Sequence, residues 1–344
     1  METDAGAASR LTLNSARIQD GDVSTAYRGP TVPVTCVAIG GQGNKTIFAG
    51  SWDKAVWSWD IESRSLIRKF VGHSDFVKAI TCARIGTKDI LISGGADKKI
   101  IVWDAGTGAR LHTLQDSVIN MLAVQDLVVD PVQTSPDEII LVSASSDPHI
   151  RRWKISLESW EQVGQPNPGT PDEERRTILE HETSVYKVVF DHDDEEVDLW
   201  TSSGDGTAKC LSRQQGFATD DSFNHGDHVR AVAVTDRWVV TAGRDEDLKF
   251  WDRSSGKMHC SLEGHYDEIT GLAILKGSPQ RLVSVSIDGT VRSWPLEASA
   301  LDGLVKEQTS TIANGGEVEQ DQEAGDLLTA DEEAELDALM DDDD

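Results

Sequence analysis

The chain is a succession of short apolar runs rich in valine, isoleucine and threonine, separated by segments that contain glycine and aspartate. Such runs are typical of β-strands, and Asp-Gly pairs such as Asp205-Gly206 and Asp288-Gly289 favour tight hairpin turns. Six of the runs are predicted to be equivalent strands of a repeat, and they begin near Val34, Val77, Val118, Val185, Val229 and Ile269. The pattern therefore predicts an all-β fold.

An aspartate stands six residues before the end of a later run in each repeat. In five repeats that end is a tryptophan: the pairs are Asp53/Trp59, Asp97/Trp103, Asp147/Trp153, Asp245/Trp251 and Asp288/Trp294. The sixth aspartate is Asp205, with Leu211 in the place of the tryptophan. Histidines precede four of the repeats, at positions 73, 181, 225 and 265. The spacing of about 40 to 60 residues is that of a four-stranded propeller blade.

The repeat resembles the WD40 family over residues 16 to 297. Three copies match that family's pattern completely, and we expect them to form structural hydrogen-bonded tetrads: His73, Ser93, Asp97 and Trp103; His225, Thr241, Asp245 and Trp251; His265, Ser284, Asp288 and Trp294. In the family these side chains are linked within one blade. A buried indole N–H and a buried imidazole both require hydrogen-bond partners, so a structural role is favoured over catalysis or metal binding.

Three copies depart from the pattern. The first has Gly29-Pro30 where Gly-His is expected and Ala49 where a hydroxyl is expected, and the third has Leu114 in place of the histidine. The fourth lacks only the tryptophan. We expect these blades to depend more on apolar packing than on a polar network.

The closure of the ring has several solutions. Residues 16 to 20 and 23 to 28 read as strands, and a weak β-run occurs at residues 304 to 306. The ring could close with six blades, could include a degenerate seventh blade built from both termini, or could leave an edge for a strand of a partner. We favour seven, with residues 1–9 as a flexible N-terminus, 10–312 as the propeller and 313–344 as a tail.

The net charge of −28 is unevenly distributed. Residues 298 to 344 hold 16 acidic residues and a single lysine, so they carry −15. This composition predicts a disordered tail, although residues 330 to 340 fit a short amphipathic helix that aligns Leu336, Leu339 and Met340. The tail could increase solubility, or it could fold on a basic, grooved partner.

Two surfaces are candidates for partner binding. The resemblance places the side chains of Trp52, Phe76, Lys78, Tyr186, Arg230 and Arg244 on the top face of the propeller. Aromatic residues and arginine are enriched at binding hot spots, and the basic rim favours an acidic or phosphorylated segment, of which the protein's own tail is one example. The second surface is an acidic loop on the bottom face of the propeller. It contains Asp193, Asp194, Glu195 and Glu196.

The sequence contains no motif of a known catalytic, phosphate-binding or metal site. We therefore expect no enzyme activity, no cofactor and no small-molecule substrate. The pairs Arg151-Arg152 and Lys98-Lys99 are expected on solvated strand faces, so direct nucleic-acid binding is disfavoured. No membrane-spanning run or signal pattern is found, and four cysteines without paired spacing indicate reduced thiols in the cytoplasm or nucleus.

These observations favour a non-catalytic interaction scaffold or adaptor subunit of an intracellular multiprotein complex. The alternative is a dedicated chaperone of a highly basic client, such as a ribosomal protein or histone. A substrate receptor of a ubiquitin ligase is a third hypothesis, although Trp251-Asp252-Arg253 places its arginine one residue earlier than that class requires.

Overall fold

The computed structural model describes residues 26–132, 135–167, 170–191 and 197–314. The chain divides into two compact units, Met1–Glu297 and Ala298–Asp344. The described part of the first unit contains six antiparallel sheets that follow one another along the chain as the blades of a propeller, together with one two-stranded hairpin.

Blades 1 to 3 each have four strands that pair in sequence order, from the inner strand to the outer one. Blade 1 contains β1 (Val34–Gly40), β2 (Thr46–Ser51), β3 (Ala55–Asp60) and β4 (Leu66–Val71), with a short 3-10 helix at Gln42–Asn44. Blade 2 contains β5 (Val77–Ile85), β6 (Lys88–Gly95), β7 (Ile100–Asp104) and β8 (Arg110–Leu114). Blade 3 contains β9 (Val124–Val129), β10 (Glu138–Ser145), β11 (Arg151–Ser156) and β12 (Trp160–Gln162).

A hairpin of β13 (Gln165–Asn167) and β14 (Thr170–Arg175) lies between blades 3 and 4 in the sequence. Blade 4 contains β15 (Val185–Phe190), β16 (Leu199–Ser203), β17 (Thr207–Ser212) and β18 (Ala218–Asn224). Blade 5 contains β19 (Val229–Val234), β20 (Trp238–Gly243), β21 (Leu248–Asp252) and β22 (Met258–Leu262). Blade 6 has three strands: β23 (Ile269–Leu275), β24 (Arg281–Ser286) and β25 (Val291–Pro295).

Apolar side chains fill the space between successive blades. Val77 and Leu91 of blade 2 pack with Phe48 and Phe70 of blade 1 in one buried cluster, and similar clusters join blade 2 to 3, 3 to 4 and 4 to 5. Full burial of one large apolar side chain contributes about 1.5–3 kcal/mol. The inter-blade contacts are therefore the main source of stability in the ring.

The sequence placed five of the six inner strands correctly and one incorrectly. Strands β1, β5, β15, β19 and β23 begin at the predicted residues, but the inner strand of blade 3 begins at Val124 and not at Val118. The Asp116 carboxylate accepts hydrogen bonds from the backbone N–H groups of Val118 and Ile119 and thereby holds a turn there. An aspartate that bonds nearby backbone amides competes with strand pairing.

The segment predicted as a weak β-run at residues 304 to 306 is helical. It lies within α1 (Ala298–Asn314), in the second unit. Leu301, Leu304 and Val305 follow helical spacing, which explains the outcome. A seventh blade is not among the sheets of the described residues, and residues 26 to 28 form no strand. The expected strand at 16 to 20 and the tail helix at 330 to 340 lie outside the described residues.

Candidate functional site

Blade 2 contains the hydrogen-bonded chain expected of a complete repeat. The Trp103 indole donates to Ser93 Oγ at 2.9 Å, Ser93 Oγ lies 2.8 Å from His73 Nε2, and His73 Nδ1 lies 2.9 Å from Asp97. Asp97 also accepts a hydrogen bond from the Ser74 backbone at 2.9 Å. Burial raises the pKa of Asp97, but the hydrogen bonds from His73 and Ser74 outweigh it and hold the pKa below its usual range.

Blades 5 and 6 repeat this chain with small differences. Trp251 donates to Thr241 and Trp294 donates to Ser284, each at 2.8 Å. His225 lies 2.8 Å from both Thr241 and Asp245; His265 lies 2.7 Å from Ser284 and 2.8 Å from Asp288. All three chains link the second and third strands of one blade, and the turn between them, to the segment that precedes the blade, and their histidines are buried. We propose that these twelve residues have a structural role.

Blade 3 replaces the missing histidine with a buried arginine. Arg151 Nη1 donates to Asp147 at 3.0 Å, and Arg151 Nε donates to Asp116 at 3.0 Å. Leu114, at the histidine position, is fully buried, and Trp153 still donates to Ser143 at 2.8 Å. The expected apolar packing is present, because Leu141, Trp153 and Ile155 lie in one buried cluster. The blade also contains a buried charged network, which the sequence analysis did not expect.

The Arg151-Arg152 pair was also misplaced by the sequence analysis. Arg151 is completely buried, and the Arg152 guanidinium lies 4.9 Å from the Phe217 ring and 3.7 Å from Asp130. Neither arginine belongs to a solvated strand face. No local sequence pattern indicated these contacts, because Asp116 and Asp130 come near the arginines only when the chain is folded.

Blades 1 and 4 satisfy their polar groups in other ways. In blade 1 the Asp53 carboxylate accepts from the Trp57 indole at 2.9 Å and pairs with Lys69 at 2.9 Å, whereas Trp59 donates to the Arg28 carbonyl. In blade 4 the contacts between His181 and Asp205 and between His181 and Thr201 are each 2.8 Å. Leu211, at the tryptophan position, is buried in an apolar cluster.

A β-bulge lies near the start of the inner strand in each of the six described blades. The pairing between the first and second strands of each blade skips one residue, which is the bulged one. The six bulged residues, here called the bulge ring, are Thr35, Lys78, Gln125, Tyr186, Arg230 and Thr270. A bulge re-aims the side chain of the extra residue, so the repeat presents one variable side chain from each blade.

The bulge ring contains three residues that the sequence analysis selected, namely Lys78, Tyr186 and Arg230. Gln125 was missed because the inner strand of blade 3 was placed six residues too early; its amide donates to Ser146 Oγ at 2.5 Å. The Arg230 guanidinium lies 4.2 Å from the centre of the Tyr186 ring and 2.7 Å from Glu268. The positive charge of Arg230 is thus partly balanced by a neighbouring blade.

The most prominent feature beside the bulge ring is a stacked aromatic pair. The rings of Trp52 and Phe76 lie 4.9 Å apart and within 13° of parallel. Trp52 is 47% exposed and Phe76 is 38% exposed. Each ring is therefore fixed by the other while one face stays accessible to solvent.

The bulge ring contains two basic residues, Lys78 and Arg230. Burial lowers the pKa of Lys78, and the positive charge of Arg230 lowers it further. Arg244 is exposed and lies one residue before the Asp245 of blade 5. The structure brings Trp52 and Phe76 together, and likewise Tyr186 and Arg230. The Arg244 backbone N–H donates to the carbonyl of His228, two residues before Arg230.

The four acidic loop residues Asp193, Asp194, Glu195 and Glu196 lie outside the described residues, as do Leu336, Leu339 and Met340. The described residues that flank the loop form polar contacts within the protein. Asp191 pairs with Arg253, and Asp198 accepts from the Arg213 backbone at 2.8 Å.

Within the described part of the chain, no group of three or more His, Cys, Asp and Glu side chains is arranged to hold a metal ion. No helix of that part is long and apolar enough to cross a membrane. All four cysteines are free thiols. Burial raises the pKa of Cys36 to about 11 and that of Cys82 and Cys210 to about 12, so these thiols stay protonated at neutral pH.

The successive four-stranded blades and their Trp–Ser/Thr–His–Asp chains define a β-propeller built from WD repeats. Two family models match the chain: "tRNA methyltransferase TRM82 WD40 domain" at residues 37–167, and "WD domain, G-beta repeat" at residues 221–252 and 256–295. The chain belongs to the WD40-repeat family.

Relatives by sequence carry varied names. The uncharacterized WD repeat-containing protein C126.01c of Schizosaccharomyces pombe is 28% identical over 321 residues, which cover 92% of this chain and 78% of that protein. The nuclear distribution protein PAC1 of Arthroderma otae is 29% identical over 284 residues, 80% of this chain and 52% of that protein. The chain thus spans about half the length of PAC1. Among solved structures, the WD40 propeller of Doa1 superimposes with a TM-score of 0.57 at 20% identity, covering 77% of this chain and 79% of that one.

Proposed function

We propose that this chain is a non-catalytic scaffold that binds other proteins through the top face of its propeller. The observation that carries the proposal is the exposed, stacked pair of Trp52 and Phe76 beside the bulge ring. Interface hot spots are enriched in aromatic residues and arginine. A pair that is already stacked loses little conformational freedom when a partner covers it.

The chemistry around the pair indicates the kind of partner segment. Lys78 and Arg230 are two cations of the bulge ring, in a protein whose net charge is −28. A segment with an apolar anchor and one or more carboxylate or phosphate groups would match this surface, because local complementarity steers association. Assembly in the cytoplasm or nucleus stays a prediction.

The test is quantitative recovery of partners with the tagged full-length chain and with the double variant Trp52→Ala, Phe76→Ala. We expect a loss of about tenfold or more in stoichiometric partners. Leu66→Ala is the matched control, since Leu66 is an exposed apolar residue on the outer strand of blade 1. Unchanged recovery with the double variant would exclude the top face as the binding surface.

A second candidate is supported by the family model that matches residues 37–167, which cover blades 1 to 3. This model is described as the WD40 domain of a tRNA methyltransferase, so the chain could be the non-catalytic partner of a tRNA-modifying enzyme. The test is transfer of labelled methyl groups to tRNA by complexes recovered with the tagged chain. If the complexes recovered with the double variant Trp52→Ala, Phe76→Ala lack that activity, the enzyme depends on the same surface as the other partners, and the two candidate functions are connected.

The other two hypotheses have less support. Chaperoning of a basic client, such as a ribosomal protein or histone, depends on the acidic loop and on residues 313–344, and it stays a prediction. A ubiquitin-ligase contact through Arg253 is disfavoured, because this side chain pairs with Asp191 and lies 5.8 Å from the Trp200 ring.

A further inference from the structure

Two lysines flank the stacked pair of Trp52 and Phe76. Lys54 follows Trp52 by two residues, and Lys78 follows Phe76 by two residues. Since Cα atoms two residues apart are separated by at most about 7 Å, a partner segment of a few residues that covers the pair can also reach either lysine. The two lysines differ in their surroundings, because Lys54 is exposed in the turn between β2 and β3, whereas Lys78 is half-buried at the start of β5.

The Lys78 ammonium has no hydrogen bond and no ion pair with any described residue of the chain. The carboxylate nearest to it in the sequence, that of Asp75, accepts instead from the backbone N–H of Phe76 at 2.8 Å. Asp53, in the turn that contains Trp52, pairs with Lys69 at 2.9 Å. Both carboxylates that adjoin the aromatic pair in the sequence therefore serve other donors, and the charge of Lys78 is left unbalanced.

A partly buried cation without a counter-charge is unfavourable, because burial removes the water that would stabilise it. Burial lowers the pKa of Lys78 for this reason, and the positive charge of Arg230 lowers it further. A negative group placed beside Lys78 would oppose both effects. The position therefore lacks an anion, whereas the exposed ammonium of Lys54 has no comparable need.

Arg230, the second cation of the bulge ring, is already neutralised. Its guanidinium donates to both carboxylate oxygens of Glu268, at 2.7 and 3.3 Å, and lies 4.2 Å from the centre of the Tyr186 ring. Two parallel hydrogen bonds are the geometry in which arginine holds a carboxylate most strongly. Of the two ring cations, Lys78 is therefore the one with a charge that no described side chain balances.

The backbone that carries Lys78 is fixed before a partner binds. The backbone N–H of Ala96 donates to the Phe76 carbonyl at 2.8 Å, and the Thr35 hydroxyl of blade 1 donates to the Val77 carbonyl. Hydrogen bonds from two blades thus hold the segment from Phe76 to Lys78. A segment that is already fixed loses little conformational freedom on binding.

We propose that Lys78 binds the carboxylate of an acidic residue in the same partner segment that covers Trp52 and Phe76. This inference rests on the proposed function and adds to it the identity of one partner residue. The acidic residue would stand within about three positions of the apolar anchor, given the short distance from Phe76 to Lys78. A carboxylate matches a single ammonium, whereas a phosphate carries about two negative charges and fits the fork of an arginine better.

Selection of a random peptide library on the full-length chain tests this without a known partner. We expect the retained peptides to share an apolar residue with Asp or Glu nearby, and selection on Lys78→Met to keep the apolar residue and lose the acidic preference. Apolar peptides without an acidic preference on the wild type would overturn the inference. Peptides that bind Trp52→Ala, Phe76→Ala equally well, or no retained peptides at all, would count against the proposed function itself.

A double-mutant cycle with one retained peptide gives the quantitative test. Replacement of its acidic residue by the amide should weaken binding to the wild type about tenfold or more, and should have little effect on Lys78→Met. Lys78→Arg should retain most of the affinity, because it keeps the charge, and thermal melts show whether each variant folds. An equal loss with the amide peptide on the wild type and on Lys78→Met would overturn the inference.

Lys54→Met is the matched control, since it removes an exposed ammonium at the same distance in sequence from the aromatic pair. It should change the affinity by less than about threefold, as is usual for exposed charges. Equal effects of Lys54→Met and Lys78→Met would contradict the assignment to Lys78, as would loss of the acidic preference in Arg230→Gln alone. A phosphoserine peptide that binds about tenfold more tightly than the acidic one would contradict the choice of a carboxylate.

Discussion

The Arg151 guanidinium donates to the Asp147 carboxylate at 3.0 Å, in a blade whose repeat has Leu114 in place of the histidine. The same guanidinium donates to Asp116 at 3.0 Å and to Ser145 Oγ at 3.0 Å. Blade 3 therefore anchors its turn aspartate with a charge from its own third strand. Blades 2, 4, 5 and 6 instead anchor the turn aspartate with a histidine ring, which comes from the segment that precedes the blade.

Replacement of Arg151 by alanine should destabilise the protein by about 3–5 kcal/mol. The substitution removes the cation that neutralises Asp116 and Asp147 in a buried site. Removal of one partner of a buried ion pair costs about that much. Urea denaturation of the wild type and the variant measures the difference. The triple variant Arg151→Met, Asp116→Asn, Asp147→Asn should recover part of the loss; no recovery would show that unpaired charge is not the cause.

Asp97→Ala should lower the free energy of unfolding by about 1–3 kcal/mol, because it removes the carboxylate that accepts from buried His73 and from the Ser74 backbone. Thermal and urea denaturation provide the measurement. Asp220→Ala is the control: Asp220 is an exposed aspartate on β18, and its loss should change stability by less than about 0.5 kcal/mol. Equal effects of the two substitutions would argue against a stabilising role for the hydrogen-bonded chain.

Acid should weaken blade 5 through Asp245. Burial raises the pKa of Asp245, but hydrogen bonds from His225 and Lys249 outweigh it and lower the pKa to about 2. The pKa of an unfolded aspartate is about 3.9, so the stabilisation is present above about pH 4 and is lost as the pH falls towards 2. After allowance for solvent screening, this contribution is about 1–2 kcal/mol.

The measurement for Asp245 is the free energy of unfolding between pH 2 and 7 for the wild type and Asp245→Asn. The difference between them should shrink as the pH falls from 4 to 2. A constant difference over that range would mean that the titration of Asp245 does not contribute to the acid sensitivity.

Two glycine substitutions should act in opposite directions. A side-chain carbon added at Gly243 would collide with the carbonyl oxygen of His228, which is backbone and cannot rotate away, so Gly243→Ala should destabilise by about 1–3 kcal/mol. Gly303 in α1 has no heavy atom near the added carbon, and Gly303→Ala should raise helix stability by about 0.5–1 kcal/mol. Thermal denaturation and circular dichroism test the pair.

The sequence alone determined the repeat, the family and most of the strand positions. This was possible because each blade needs a turn aspartate, a β-run that ends in a large apolar side chain and, in four copies, a histidine at fixed spacing. These are local requirements of hairpin turns and of buried polar groups. They predicted the chains from Trp103 to Asp97 and from Trp294 to Asp288 down to the individual residue.

Only the tertiary structure decided what depends on neighbours distant in sequence. Arg151 meets Asp116 across 35 residues, and Trp52 stacks on Phe76 of the next blade; no local pattern specifies either contact. The physical reason is the same in each case: spacing along the chain records which residues share a blade, whereas packing between blades selects which side chains are neutralised, stacked or left exposed.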